Sequence, residues 1–313
     1  MHDSFNDQIA KDQENYYLPS LLLLNRLFFI YLNIFSSFKN ISFFITIIAG
    51  AQNNYCQLPC NIGHKSILHT VCNRSQLKCG PGSKCGPDFS EITFNDDDRQ
   101  YILDIHNYLR NKVALGYEKR GLQPMAANMR ILNYNKELEF IAQCWANACN
   151  GNPLSHDHCR RTDAYAHVGQ NLGYVKSTNP KINKVKAIKN LSWLWYDEVD
   201  IYDRTWINDT QNRGSDYVVG HYTQLIWANS AEIGCAMSYY TNTVSSRIWH
   251  QIILVCNYGP GGNYLGRPVY VIGKPASRCP QDLRRNSYYK GLCGEAAKVK
   301  DVANYTFKAF QLE

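Results

Sequence analysis

The sequence predicts an α+β protein cross-linked by disulfides. Three stretches carry apolar residues at helical spacing, two β-rich runs follow with a turn between them, and 12 cysteines are spread along the chain. Helical patterns followed by sequence-adjacent strands argue for helices packed on an antiparallel sheet. An even cysteine count in a secreted chain reads as a disulfide framework.

Composition narrows the class. Apolar residues make up 45% of the 313 and charged residues 19%, which excludes a disordered or collagen-like chain and allows a sizeable core. The 33 basic and 26 acidic side chains leave a net charge of +7. That suits weak attraction to anionic surfaces but lacks the clustering that nucleic-acid binding needs. No nucleic-acid partner is expected.

The first 17 residues are polar. From Leu18 to Ala51 the chain is apolar, broken by Arg26 and Lys39. Lys39-Asn40 supplies a charged flank, Ile41 to Ile48 a short apolar core, and Ala49-Gly50-Ala51 a small-residue cleavage site. We expect a signal peptide with an upstream extension over 1–51, cleavage after Ala51 and secretion. All 12 cysteines follow that point, beginning at Cys56. The rival reading is an uncleaved anchor over 18–49, for which two internal charges are costly. Asn73, Asn190, Asn208 and Asn304 each open an N-glycosylation sequon.

Residues 52–92 hold Cys56, Cys60, Cys72, Cys79 and Cys85 among Gly, Pro, Asn and Ser, and read as a stapled, irregular segment. Cys79 to Cys85 also fits a metal knuckle, although an oxidising compartment favours disulfides. A helix follows. Asp96 to Asp98 place negative charge at its N-terminus, Ile102, Ile105, Leu109 and Val113 form its stripe, and Gly116 can end it. A second helix is expected from the cap Asn135 through Leu138, Ile141, Trp145 and Cys149. A third is expected to start near Asn179-Pro180, with Val185, Ile188, Leu191, Trp195 and Val199 as its apolar stripe. Lys181, Lys184, Lys186 and Lys189 lie mostly off that stripe, as a solvated face or a contact for lipid headgroups.

Ile233, Cys235, Met237 and Tyr239 alternate, and Ile248 to Tyr258 is a β-rich run. With Asn242 to Ser246 as the turn, the two form an antiparallel hairpin in which Cys235 can face Cys256. Beyond Asn263, Cys279 and Cys293 are expected to pair, closing a loop for ~3 kcal/mol.

The sequence has no H-E-x-x-H helix, no G-x-S-x-G elbow and no glycine-rich phosphate loop. What remains is His156-Asp157-His158, Glu198 on the edge of the third stripe, and His221. A carboxylate on that edge wants a cationic, metal or hydrogen-bonding partner. These residues form either a structural hydrogen-bond cluster or a site.

Gly220-His-Tyr-Thr-Gln-Leu-Ile-Trp-Ala-Asn-Ser230 resembles the first signature of the CAP superfamily, which comprises cysteine-rich secretory proteins, antigen 5 and plant pathogenesis-related proteins. Ile253-Leu-Val-Cys-Asn-Tyr-Gly-Pro-Gly-Gly-Asn-Tyr264 resembles the second. His106-Asn107 with Arg110, Asn54-Tyr55-Cys56, Trp145-Ala-Asn-Ala-Cys149, His156-Asp-x-Cys-Arg160 and Val168-Gly-Gln-Asn-Leu172 resemble the insect antigen 5, or venom allergen 5, branch. The resemblance implies a three-layer α/β/α sandwich, here expected over 93–267 with a tail at 268–313. It implies the pairs Cys56–Cys72, Cys60–Cys159, Cys85–Cys149 and Cys235–Cys256. Cys79 and Cys144 are extra to the usual set and are expected to pair with each other. Only Cys279 and Cys293 follow the CAP region, so the resemblance does not extend to channel-blocking venom proteins with a cysteine-rich C-terminal module.

The resemblance also implies a central cleft with two histidines and two acids able to hold a divalent ion. Those positions fall on His156, Gln170, Glu198 and His221, so the second acid is an amide here. A neutral amide is the poorer ligand, and a weak Zn or Cu site is the expectation, with no cofactor required. The implied function is a secreted, monomeric venom or salivary protein that is not an enzyme. It would act through its surface and by sequestering a sterol, another lipid or a small ligand. The alternatives are copper redox or hydrolytic chemistry at the His/Glu cleft.

Overall fold

The computed structural model describes residues 55–299 apart from 152, 212–217 and 281. The signal peptide expected over 1–51 and the sequon at Asn304 lie outside the described residues.

The N-terminal segment contains a small two-stranded ribbon, β1 (Asn61–Ile62) with β2 (Lys65–Ser66), and the single-turn helix α1 (Thr70–Asn73). Strand β3 (Ser90–Ile92) leads into the long helix α2 (Asp96–Ala114). Asn95 and Asp98 close a capping box on its first turn, which satisfies two otherwise unpaired N–H groups. Its expected stripe of Ile102, Ile105, Leu109 and Val113 is buried. A two-residue strand β4 (Asn133–Tyr134) precedes α3 (Lys136–Ala146), where the Asn135 side chain accepts from the Leu138 N–H. Helix α3 stops short of the expected Cys149. Asn147 ends the helix, and Cys149 has φ 55°, outside helical space.

After β5 (Gly169–Ser177) comes α4 (Lys184–Asp197). It begins later than the expected Asn179-Pro180. The Asn179 side chain accepts from the Lys181 N–H and the Pro180 carbonyl from the Ile182 N–H, so those residues form a turn. Asn183 caps the helix instead, accepting from the Lys186 N–H. Val185 consequently points to solvent, and Ala187, Ile188, Leu191 and Trp195 form the buried face. Val199 is buried, but from the 3-10 turn Glu198–Asp200 beyond the helix. Of the lysines read as a solvated face, Lys184 ties α4 to α2 by an ion pair with Asp98 at 2.5 Å.

A short helix α5 (Gly220–Leu225) precedes the hairpin of β6 (Glu232–Val244) and β7 (Arg247–Gly259). The sheet runs β3–β6–β7–β5, with β4 parallel on β6 and the other pairs antiparallel. Cys235 opposes Cys256, and pairing continues to Val244 opposite Arg247. The connection is therefore shorter than the expected Asn242 to Ser246. Ser245 and Ser246, with φ 49° and 62°, make a two-residue turn whose twist matches that of the strands.

The sheet is the middle of three layers. On one face Ala142 and Ala146 of α3 pack against Leu172, Ala236, Tyr240, Ile253 and Val255. On the other, α2, α4 and α5 pack against Cys235, Met237, Ile252, Leu254 and Tyr258. At Gly234 any side chain would run into the α3 backbone at Asn135, Leu138 and Glu139. Glycine there lets helix and sheet approach closely.

All twelve cysteines are bridged: Cys56–Cys72, Cys60–Cys159, Cys79–Cys144, Cys85–Cys149, Cys235–Cys256 and Cys279–Cys293. The Cys79–Cys85 segment thus holds disulfides and no metal knuckle. Among the described residues no helix is long and apolar enough to cross a membrane.

Candidate functional site

Two histidine–acceptor pairs make up the candidate site, His221 with Glu198 at the C-terminal end of α4 and His156 with Gln170 on β5, and His221 is near enough to act on the charge of His156. His221 lies in the first turn of α5, and its Nδ1 is 2.5 Å from Glu198 Oε1. The other carboxylate oxygen of Glu198 accepts the backbone N–H of Tyr222 at 2.9 Å. Glu198 reaches both because α4 tightens into a 3-10 turn at that residue, swinging its side chain toward α5. The Trp195 ring lies nearly parallel to the His221 ring, 6.3 Å between centroids and 16° apart, forming an apolar wall.

His156 comes from the loop after α3. Its Nδ1 is 2.8 Å from Gln170 Oε1 on β5. The Gln170 amide nitrogen donates to Asp157 Oδ1 and to Asn257 Oδ1, each at 3.0 Å. Asn257 in turn donates to the Leu138 carbonyl, which fixes its own orientation. Because Gln170 spends its N–H groups on those two acceptors, its carbonyl faces the ring, and Nδ1 of His156 must carry the proton. Desolvation, and then the charges of Arg160 and His221, hold the His156 pKa below the usual imidazole value, against the hydrogen bond it donates to Gln170, which raises it. The ring is neutral near pH 7. Asp157 is itself held by Arg160 Nε at 2.5 Å and by the Thr70 hydroxyl.

The structure therefore brings His156 and His221 together with Gln170 and Glu198, but it places the latter two behind the rings, on Nδ1. His158 is exposed and takes no part. Asp157 and Asn257 were not singled out from the sequence as orienting groups. The signals were there, since Asp157 follows His156 directly and Asn257 lies in the second signature, opposite Gln170 in the sheet register.

The donor set fits a two-imidazole site and nothing fuller. Among the described residues no group of three or more His, Cys, Asp or Glu is placed to hold a metal ion. The nitrogens left to a ligand are Nε2 of His156 and Nε2 of His221, each backed by a hydrogen-bond acceptor on Nδ1, an arrangement that orients a ring for metal binding.

A third histidine is structural. His106 on α2 is fully buried, with Nδ1 2.8 Å from the Ile102 carbonyl and Nε2 3.0 Å from the Tyr258 hydroxyl. Burial pushes its pKa down to about 4. One turn on, the buried Arg110 guanidinium donates to the carbonyls of Arg130, Leu225, Trp227, Ala228 and Ser230, pinning the chain that follows α5 to the segment before β4. Its pKa falls to about 9 through desolvation. The sequons at Asn73, Asn190 and Asn208 present exposed asparagines.

A three-layer disulfide-clamped sandwich with this histidine pair defines a class, and comparison with known proteins places the chain in it. The model of the cysteine-rich secretory protein family matches residues 103–258. The chain belongs to this family, the CAP family. It is 38% identical over 233 residues to venom allergen 5.02 of Dolichovespula maculata, covering 72% of this chain and 98% of the relative. It is 39% identical over 231 residues to venom allergen 5 of Polistes dominula, covering 72% and 93%. It is 38% identical over 226 residues to venom allergen 3 of Solenopsis invicta, covering 71% and 90%. Among solved structures, the crystal structure of NaASP2 with Zn2+ aligns with a TM-score of 0.50 and 28% identity, over 69% of this chain and 100% of that one. The structure of BmVAL-1 aligns with a TM-score of 0.53 and 25% identity, over 64% and 95%.

Proposed function

We propose that this chain is a secreted venom- or saliva-type CAP protein that acts by binding rather than by turnover. It presents its surface to extracellular partners and sequesters a sterol or another small apolar ligand, with His156 and His221 as a weak divalent-metal site. The observation that carries this reading is the commitment of Glu198. One oxygen is held by His221 and the other by the Tyr222 N–H, so the carboxylate orients a ring and has no idle oxygen aimed at a reacting group. The bridging of every cysteine also leaves no thiolate nucleophile. Secretion is supported by the six disulfides and by the venom proteins among the relatives. The sterol class rests on the family resemblance.

The metal part is supported by the two free Nε2 nitrogens and by the Zn2+ named with NaASP2. Bound Zn2+ would supply Lewis acidity, and bound Cu2+ one-electron redox chemistry, to which imidazole ligands are suited. The histidine pair therefore also favours a second reading, metal-dependent chemistry in the cleft.

Mass spectrometry of lipid and metal co-purified with the secreted protein tests the first reading. A stoichiometric apolar ligand supports it. Cleavage of generic peptides, or superoxide turnover on adding Cu2+, either one lost in His221→Ala, would replace it with the second.

A further inference from the structure

The β6–β7 hairpin outruns the helix that covers it. On the α3 side of the sheet, cover ends at Tyr240, whose hydroxyl accepts the Gly151 N–H at 3.1 Å. Beyond that level the same face carries Tyr174 and Lys176 from the end of β5, with Val244, Arg247 and Trp249 from the hairpin, as the register and the alternation of strand side chains require. Trp249 is half-buried beneath two cations. Lys176 Nζ lies 4.3 Å from its ring centroid and Arg247 Cζ 5.9 Å. Among the described residues no carboxylate pairs with either cation. Val244 at 47% and Tyr174 at 41% are exposed, and so is Ile248 at 55%.

Val244 and Ile248 point to opposite faces of the hairpin, because they stand at opposite parity about the Ser245-Ser246 turn. A protein partner docking flat on the sheet would cover one of them and leave the other wet. A layer that receives the tip end-on covers both. Val244 stands level with Arg247 at the tip and Ile248 one step behind, but the Arg247 guanidinium folds back over the Trp249 ring, away from the tip. A tryptophan flanked by long basic side chains that reach back, with aliphatic residues at the tip, is the composition that settles at a lipid–water boundary: the ring at headgroup level, the cations on phosphates, the aliphatics deeper. We propose that this tip is a docking site for an anionic phospholipid surface, entered end-on, with Val244 and Ile248 dipping below the headgroups and Lys176 and Arg247 at the phosphates. This goes beyond ligand sequestration in the cleft and does not depend on it.

The test is co-sedimentation of the folded, disulfide-bonded protein with phosphatidylcholine vesicles, with and without phosphatidylserine, at low and high salt. The wild type should bind only the phosphatidylserine vesicles and lose binding in high salt. Each basic residue near an anionic leaflet is worth about fivefold in partitioning, so Lys176→Gln/Arg247→Gln should bind about 25-fold more weakly. Val244→Ser/Ile248→Ser, which keeps the charge, should weaken binding by about tenfold or more. All four positions are at the surface, and unchanged melting temperatures confirm that both variants fold. Three results would overturn the proposal: no binding that depends on phosphatidylserine, vesicle binding unchanged in either double variant, or retention on heparin that tracks Lys176 and Arg247 with no vesicle binding.

Discussion

The amide nitrogen of Gln170 lies 3.0 Å from Asp157 Oδ1 while its carbonyl oxygen lies 2.8 Å from His156 Nδ1. A single side chain thus donates on one side and accepts on the other, a combination that a carboxylate cannot reproduce. Gln170→Glu would set two carboxylates against each other in a buried position. The metal-free variant should lose about 1–3 kcal/mol at pH 7. Burial and Asp157 raise the pKa of the new group in the folded state, so the deficit should shrink as the pH falls and that group takes up its proton. A carboxylate on Nδ1 makes Nε2 the stronger donor, so Zn2+ should bind about tenfold more tightly. Calorimetric titration and melting curves test both halves. Equal Zn2+ affinity in the two proteins would remove Gln170 from control of the site.

His106 should make the protein acid-sensitive. Its folded pKa of about 4 lies below the unfolded value of 6.5, so the unfolded chain takes up the proton first. Stability then declines as the pH falls below about 6.5, by about 3 kcal/mol at pH 4 from this group alone. Urea midpoints at pH 7.5 and pH 5 measure the first part of that slope. A flat profile, identical to that of His106→Gln, would show that the ring titrates normally.

Arg110 is predicted to matter more than any exposed charge. Arg110→Met removes the donors from five carbonyls and should cost about 3–5 kcal/mol. The readout is thermal unfolding. A variant that melts within a degree of the wild type would mean that water replaces the guanidinium.

Breaking Cys235–Cys256 should cost about 2–5 kcal/mol. Both residues are fully buried on paired central strands, so the double alanine variant also leaves a small void between sheet and helices. Unchanged melting would show that the ladder alone holds the hairpin.

The parts of this fold that were legible in the sequence are those where one local signal acts alone. Asn135 stands just before a helical stripe and caps the helix that starts there, and the acidic run Asp96 to Asp98 marked the first turn of α2. The start of α4 was hidden because Pro180 is as good a first-turn residue as Asn183 is a cap, and only the packing of Ile188 and Leu191 decides between them. The hairpin turn was hidden because Asn242, Ser245 and Ser246 are all turn formers, so cross-strand pairing, not composition, selects two of them. At the site, helical spacing pointed to Glu198 on the edge of its stripe, and the signatures pointed to His156 and His221. That Glu198 and Gln170 stand behind the rings could not be read. It follows from the 3-10 turn at Glu198 and from the register that sets Gln170 opposite Asn257, both of which are tertiary facts.

The pattern of bridges divides the chain by how it would survive a protease. A single cut between 86 and 143 leaves two pieces still joined by Cys60–Cys159, Cys79–Cys144 and Cys85–Cys149. A cut between 160 and 234 is crossed by no bridge, because Cys159 closes the last loop before it and Cys235 opens the next. That span carries Gln170, Glu198 and His221 and is retained without a disulfide, by the β5–β7 ladder, by hydrogen bonds such as those of Arg110 to Leu225 and Trp227, and by side-chain packing. Digestion would therefore release the cleft before it dismantled the frame, leaving a long-lived remnant whose surface is intact and whose histidine pair has been parted.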